Sequence, residues 1–302
     1  MWLHVAFRIL LMPIPRQVLL NTSGSGKTRL LLDGLCHRWG FYFAADTKEI
    51  GSEDFRTIID EFKKYQDFER AKWMNETQLK TRESILHTQA TAGRGLNQLL
   101  LSRFLLLELL VEEVQQNRRQ VSSLAYRRLW VLLQARPRQI FGADLFLELA
   151  RLLRPADQFD LETRIRLKCQ ALSSQLNLSN GFYCVLDEAQ ITASPHHRHI
   201  FSEDGSSRRP LLREIWLSWT TVLNIQDMKL IVSGTGINYE EITRTLSSDV
   251  FKQQNYEVKR DVGAFDDPKD QAVYIRLYIP ADWTDMKWKE FLKRSWAWFR
   301  GR

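Results

Sequence analysis

The stretch RQVLLNTSGSGKTRLLLDGLCHRWG, residues 16–40, decides the fold. Its first five residues, Arg16–Leu20, form a short β-prone run that leads straight into a glycine-bearing loop, NTSGSGKT at residues 21–28. TRLLLDGLCHRWG then reads as a helix ending near Gly40. Strand, loop and helix in that order set free backbone N–H groups at a helix N-terminus, which is an anion-binding arrangement.

A phosphate-binding loop of the form G-x-x-x-x-G-K-[ST] needs inward N–H groups, a lysine for the outer phosphates and a hydroxyl for magnesium. Gly24, Gly26, Lys27 and Thr28 supply its second half. Asn21 stands where the first glycine is expected, and asparagine enters the left-handed backbone region more readily than other non-glycine residues. The nucleotide contacts read from this stretch are Asn21, Ser23, Gly24, Ser25, Gly26, Lys27, Thr28 and Arg29, with Thr28 also a magnesium ligand.

Outward from the loop, GFYFAAD at residues 40–46 reads as a second strand. Ser52 can cap a helix with Glu53 and Asp54 in its first turn, and Phe55, Ile58, Ile59, Phe62 and Phe68 recur at helical spacing. Further helices are predicted over 96–117, 121–134, 143–153 and 161–176, with turn signals at Gly93, Gly95, Pro137 and Pro155. Residues 52–180 thus form a large all-helical insertion.

β-character returns at GFYCVLDEAQ, residues 181–190, at MKLIVSGTG, residues 228–236, and at NYEVKRDV from Asn255. LLREIWLSWTTVL lies between the first two as a helix, KDQAVYIRLYI follows a helix start at Asp267 and Pro268, and residues 283–300 make a last, tryptophan-rich helix. The fold class is α/β: a parallel sheet of about five strands flanked by helices, with the helical insertion between the second strand and the strand ending in Asp187.

VLDEAQ ends a buried-type strand in two carboxylates. Asp187 can hold magnesium through water, and Glu188 can orient or deprotonate an attacking water. Adjacent parallel strands would bring this pair to the edge that carries the loop. In LIVSGTG, Ser233 or Thr235 can reach a γ-phosphate or the water, the alternative being an ordinary strand end. Arg208, Arg209 and Arg213 are candidates for an arginine finger acting on a neighbouring subunit, or else belong to a solvated basic turn.

Other features carry less chemistry. His196, His197 and His199 lie in a polar loop without cysteine or carboxylate at ligand spacing. Trp283, Trp288, Trp296, Trp298 and Phe299 read as helix packing rather than a base-stacking platform. Cys36, Cys169 and Cys184 form no C-x-x-C pair, which argues against a disulfide framework or a zinc site and for a reducing compartment.

The 302 residues are 44% hydrophobic and 26% charged, a globular composition. The net charge of +7 is spread along the chain, densest at residues 118–138 and 293–302, so nucleic acid is compatible as a partner without being indicated. The apolar start MWLHVAFRILLMPIP contains Arg8 and no cleavage pattern, and LLLSRFLLLELLV from Leu99 contains Arg103 and Glu108, so neither reads as an export signal or a span. The expectation is an intracellular protein, cytoplasmic or nuclear, without a membrane anchor.

As a set, NTSGSGKTRLLLDGLC, WGFYFAAD, GFYCVLDEAQ, RRPLLREIW, IVSGTG, YIRLYIP and WAWFRGR resemble P-loop NTPases of the AAA+ and STAND kind. More closely, the chain is similar to the NTPase module of fungal Crinkler-type proteins. The likeness runs from about Arg16 to the C-terminus and implies one P-loop NTPase domain over 16–302. It implies ATP and Mg²⁺ as cofactors, phosphate contacts from Gly24 to Thr28 (Walker A), metal and water handling by Asp187 and Glu188 (Walker B), and sensing by Ser233. Lys27, Glu188, Ser233 and Arg213 are the expected catalytic set. A helical lid with a sensor arginine is implied where the sequence reaches Arg300–Gly301–Arg302, so the lid is expected to be missing or truncated.

The leading reading is an ATP-hydrolysing switch whose nucleotide state moves residues 52–180, with self-association or another protein engaged through that insertion. Two alternatives stand beside it: a nucleotide sensor or interaction module that binds without turnover, and a DEAD-like helicase fragment, which GSGKT, DEAQ and SGT loosely imitate.

Overall fold

The computed structural model describes residues 16–20, 26–46, 50–64, 78–117, 124–193, 200–201, 208–223, 227–235, 257–259, 268–276 and 285–299. Strand β1 (Arg16–Leu20) and helix α1 (Lys27–His37) flank the loop, and β2 (Gly40–Ala44) follows. Six helices come next: α2 (Asp54–Lys64), α3 (Gln78–Gln116), α4 (Leu124–Ala135), α5 (Pro137–Phe141), α6 (Leu145–Leu152) and α7 (Gln158–Gln175). The chain continues through β3 (Phe182–Asp187), α8 (Gln190–Ala193), a two-residue hairpin pair β4 (Ile200–Phe201) and β5 (Arg208–Arg209), and α9 (Leu211–Val222). It ends with β6 (Met228–Gly234), β7 (Glu257–Lys259), α10 (Pro268–Arg276) and α11 (Asp285–Phe299).

Five of these strands form one all-parallel sheet in the order β2-β3-β6-β1-β7. The step from β1 to β2 runs one way across the sheet, and the steps from β2 through β3 and β6 to β7 run the other way. Right-handed crossovers therefore put α1 on one face and most other connections on the opposite face. Residue parity agrees. Leu19, Tyr42, Tyr183, Val185 and Ile231 pack with Leu30, Leu31 and Leu35 of α1. Their sequence neighbours Val18, Leu20, Phe41, Phe43, Phe182, Cys184, Leu186, Leu230 and Val232 face a much larger core shared with α2, α3, α6, α7 and α9. With both faces covered, the strands read as continuous apolar runs, as parallel strands do.

The sequence places the motif-bearing strands side by side, and the structure corrects this. β6 lies between β1 and β3, hydrogen-bonded to both. β1 is followed by α1 on one face and β3 by α9 on the other, so the strand ends between them lie where open α/β sheets present ligand sites.

The helical segment departs from expectation at Pro137, read as a turn signal but found at the first position of α5, and at two glycines. Gly93 and Gly95 were read as turn signals, yet both lie inside the 39-residue α3. Gly95 is a packing glycine: a Cβ there would meet the Phe62 ring at 2.8 Å and Ile58 at 3.1 Å, so its absence lets α2 lie close against α3. Arg103 and Glu108, the charges that argued against a span, are both paired. Arg103 holds Asp54 in a bidentate contact at 2.6 and 3.2 Å, with both side chains fully buried, and Glu108 meets Lys168 at 2.7 Å. No helix among the described residues is long and apolar enough to cross a membrane.

Asp144 joins two helix starts. Its carboxylate accepts from Leu147 N–H at the head of α6, and from the Ser52 hydroxyl and Glu53 N–H at the head of α2. Ser52 in turn accepts from Asp54 N–H at 3.1 Å, so it acts one position earlier than a simple cap.

β2 is the edge strand, and an unpaired parallel edge buried under helices needs partners for its backbone. Side chains of α4 supply them. Gln134 accepts from Tyr42 N–H at 2.9 Å and donates to Gly40 C=O at 3.2 Å, while the Trp130 indole donates to the same carbonyl at 2.7 Å. Helix α4 straddles this edge, with Trp130 in the larger core and Val131 in the smaller one.

Candidate nucleotide site at the carboxyl edge of the sheet

Gly26 precedes α1 with φ 80° and ψ 14°, a left-handed conformation that glycine adopts without steric cost, and its carbonyl accepts from Leu30 N–H at 2.9 Å. That turn starts the helix at Lys27 and Thr28, above the carboxyl ends of β1, β3 and β6. Asn21, Ser23, Gly24 and Ser25 lie outside the described residues, as do His196, His197 and His199.

By the parity that aims Val185 at α1, Asp187 points to the same side. Asp187 is 1% exposed, and its carboxylate is the centre of the site. Oδ2 accepts from the Thr28 hydroxyl at 2.6 Å and from the Tyr42 hydroxyl at 3.1 Å, and Oδ1 accepts from the backbone N–H of Glu188 at 3.0 Å. Thr28 and Asp187 are 159 residues apart in sequence. Three donors on one carboxylate fix its orientation.

Lys27 is 5% exposed. Burial lowers its pKa below the ordinary lysine value, although Asp187 and Glu188 both pull the other way. Tyr42 is held protonated, because burial, and then the negative Asp187 it donates to, push its pKa far up.

Glu188 has φ 55°, a conformation uncommon for a non-glycine residue and often found where a side chain is set for function. Its carboxylate accepts a hydrogen bond from Gln190 Nε2, and Gln190 Oε1 accepts from Thr235 N–H at 3.1 Å. Ala189 N–H also bonds to Ser233 C=O at 2.8 Å, so the turn after β3 is stitched to the end of β6.

Ser233 is fully buried one residue past the last β3–β6 pair, Leu186↔Val232, and on the α1 side by parity with Ile231. Its Oγ has no hydrogen-bond partner among the described residues. A buried hydroxyl without a partner is costly, and a polar ligand at the strand ends would satisfy it.

Arg29 lies on the exposed side of α1, 3.6 Å from Asp33. Arg213 is 4% exposed in α9, with its guanidinium 3.5 Å from the Glu214 carboxylate. Arg208 and Arg209 form β5, paired to β4. In α11, Trp288 packs under the Arg276 guanidinium, 5.8 Å from ring centre to charge.

The sequence reading missed Tyr42 and Gln190. Parity on β2 carried a signal for the first, since alternation from Phe41 aims Tyr42 at the α1 face. Nothing in the sequence marked Gln190 beyond its place after Asp187 and Glu188. The oxygen donors at hand, a hydroxyl and a carboxylate, suit a hard divalent cation such as Mg²⁺. Among the described residues no group of three or more histidine, cysteine or carboxylate side chains could enclose a metal by itself, so a metal here would take its remaining ligands from water or a phosphate. Comparisons with protein-family models, with curated proteins and with solved structures gave no match.

Proposed function

We propose that this chain is a nucleotide-dependent switch of the P-loop AAA+ or STAND kind, which binds ATP with Mg²⁺ and hydrolyses it to ADP and phosphate. The observation that supports it most is the meeting of Thr28 and Asp187 at 2.6 Å, beside the buried Lys27, where α1 begins above the carboxyl edge of a parallel sheet. Those residue types in that place are what a nucleoside triphosphate with a divalent cation requires.

In this reading the N-terminus of α1 and the Lys27 ammonium take the outer phosphates, and Thr28 and Asp187 hold the metal. A Mg²⁺ ion held there would supply positive charge to neutralise the phosphates and polarise the γ-phosphoryl group. Glu188 orients the attacking water and accepts its proton, while Ser233 hydrogen-bonds the γ-phosphate or that water. The test is calorimetry of ATP and ADP with Mg²⁺, followed by phosphate release, on the wild type, Lys27→Ala and Glu188→Gln. Binding lost in Lys27→Ala and turnover lost in Glu188→Gln support the reading, and unchanged affinity in Lys27→Ala sinks the loop assignment.

A second reading, a sensor that binds nucleotide without turnover, has one observation of its own. One oxygen of the Glu188 carboxylate, Oε2, is taken by the Gln190 side-chain amide. Tight binding with no phosphate release by the wild type would favour it.

A further inference from the structure

Tyr42 occupies a position that the nucleotide reading does not use. Its ring is buried in the smaller core on the α1 side, its residue 2% exposed. The hydroxyl donates to Asp187 Oδ2, the same oxygen that takes the Thr28 hydroxyl, at 3.1 and 2.6 Å. Its backbone N–H, pointing away from the sheet, donates to Gln134 Oε1 of α4 at 2.9 Å. Gln134 is itself fully buried and bound to Gly40 C=O two residues earlier on the same strand. One residue thus touches the carboxylate at the centre of the site with its side chain and the helical segment with its main chain.

Those contacts have a physical consequence. A carboxylate that handles a cation must present a fixed oxygen, and Asp187 is fixed by donors from three elements: α1, β2 and the turn after β3. Of these, only the Tyr42 donor sits on the edge strand, whose outer side is closed by α4. A shift of Asp187 toward a cation pulls on the Tyr42 hydroxyl, and β2 transmits that pull to the Gln134 and Trp130 contacts.

We propose that Tyr42 is a positioning residue, which sets the Asp187 carboxylate for a divalent cation and ties its orientation to helix α4 through the edge of the sheet. This rests on the nucleotide reading, and it assigns the cation-dependent part of binding to a residue outside the loop and the two-carboxylate motif.

The experiment titrates the purified full chain with ATP, once with Mg²⁺ and once with EDTA, for the wild type and Tyr42→Phe. Hydrogen exchange is followed over β2 and α4 in the same samples. Tyr42→Phe removes one oxygen and keeps the ring, so its melting temperature serves as the control for folding. The expected result is a roughly tenfold loss in the gain that Mg²⁺ gives to affinity, as befits a hydrogen bond to a charged group, with EDTA affinity unchanged. Mg²⁺-ATP should also slow exchange at the Tyr42 amide and along α4 in the wild type, and not in Tyr42→Phe. An unchanged Mg²⁺ gain, or equal losses with Mg²⁺ and EDTA, overturns the proposal while leaving nucleotide binding in place. Identical exchange protection in the two proteins overturns the link to α4. No Mg²⁺-dependent binding by the wild type overturns both this proposal and the nucleotide reading beneath it.

Discussion

Lys27 and Arg103 are buried on opposite faces of the sheet, and the chain treats these two cations differently. On the helical side, Arg103 is fully buried, grips Asp54 through two nitrogens, and lies over the Phe43 and Phe146 rings at 4.7 and 3.9 Å. Its charge is answered inside the protein by a matched carboxylate and two aromatic faces. On the α1 side, Lys27 feels two carboxylates, yet burial still lowers its pKa. A pair closed on itself holds the helices to β2, whereas a cation kept at a cost beside a carboxylate and a buried orphan hydroxyl fits a site prepared for an anion.

That contrast can be broken experimentally. The largest expected effect falls on the α1 side: Glu188→Gln should lower phosphate release by roughly 10²–10⁴-fold, the usual worth of a positioned acid–base group, while ATP affinity is retained. Turnover at the wild-type rate would take Glu188 out of the chemistry. On the other face, Arg103→Ala strands the Asp54 carboxylate and should cost about 3–5 kcal/mol in urea unfolding. The double variant Arg103→Met with Asp54→Leu should recover most of that loss, since the pair serves packing rather than chemistry.

Smaller effects sharpen the same comparison. Gln134→Ala leaves the Tyr42 N–H of the β2 edge without its partner and should cost about 1–3 kcal/mol in thermal unfolding. Gly95→Ala drives a methyl group against Phe62 and should cost about 1–3 kcal/mol, with nucleotide binding unaffected. The smallest effect belongs to Lys27→Met without nucleotide. Removing a buried charge whose pKa is lowered should leave the melting temperature unchanged or slightly raised, and a clear drop would mean that Lys27 is a structural cation like Arg103.

The strand at Arg16–Leu20 and the helix at Lys27–His37 were legible because each is a local pattern, as were the apolar runs that became β3 and β6. The order of the strands was not. That β6 separates β1 from β3 depends on crossover direction, which no single segment encodes. The unbroken α3 was hidden for a related reason, since Gly95 serves contact with Phe62 rather than a turn. In the site, Lys27, Thr28, Asp187 and Glu188 were readable from motif spacing. Gln190 was not, and for Tyr42 only its facing was readable from the alternation along β2, because their roles come from what the fold sets opposite them.

The helical segment is also more tightly built in than an insertion read from sequence suggests. Its helices α2, α3, α6 and α7 form the cover of one sheet face, and α4 closes the β2 edge.

The central claim is that Lys27, Thr28 and Asp187 form one site for a nucleoside triphosphate with a divalent cation. Its most direct test is calorimetric titration of the wild type and Lys27→Ala with ATP in the presence of Mg²⁺. The account predicts saturable binding at one site in the wild type and none in the variant at the same concentrations. Absence of binding in both, or equal binding in both, would contradict it.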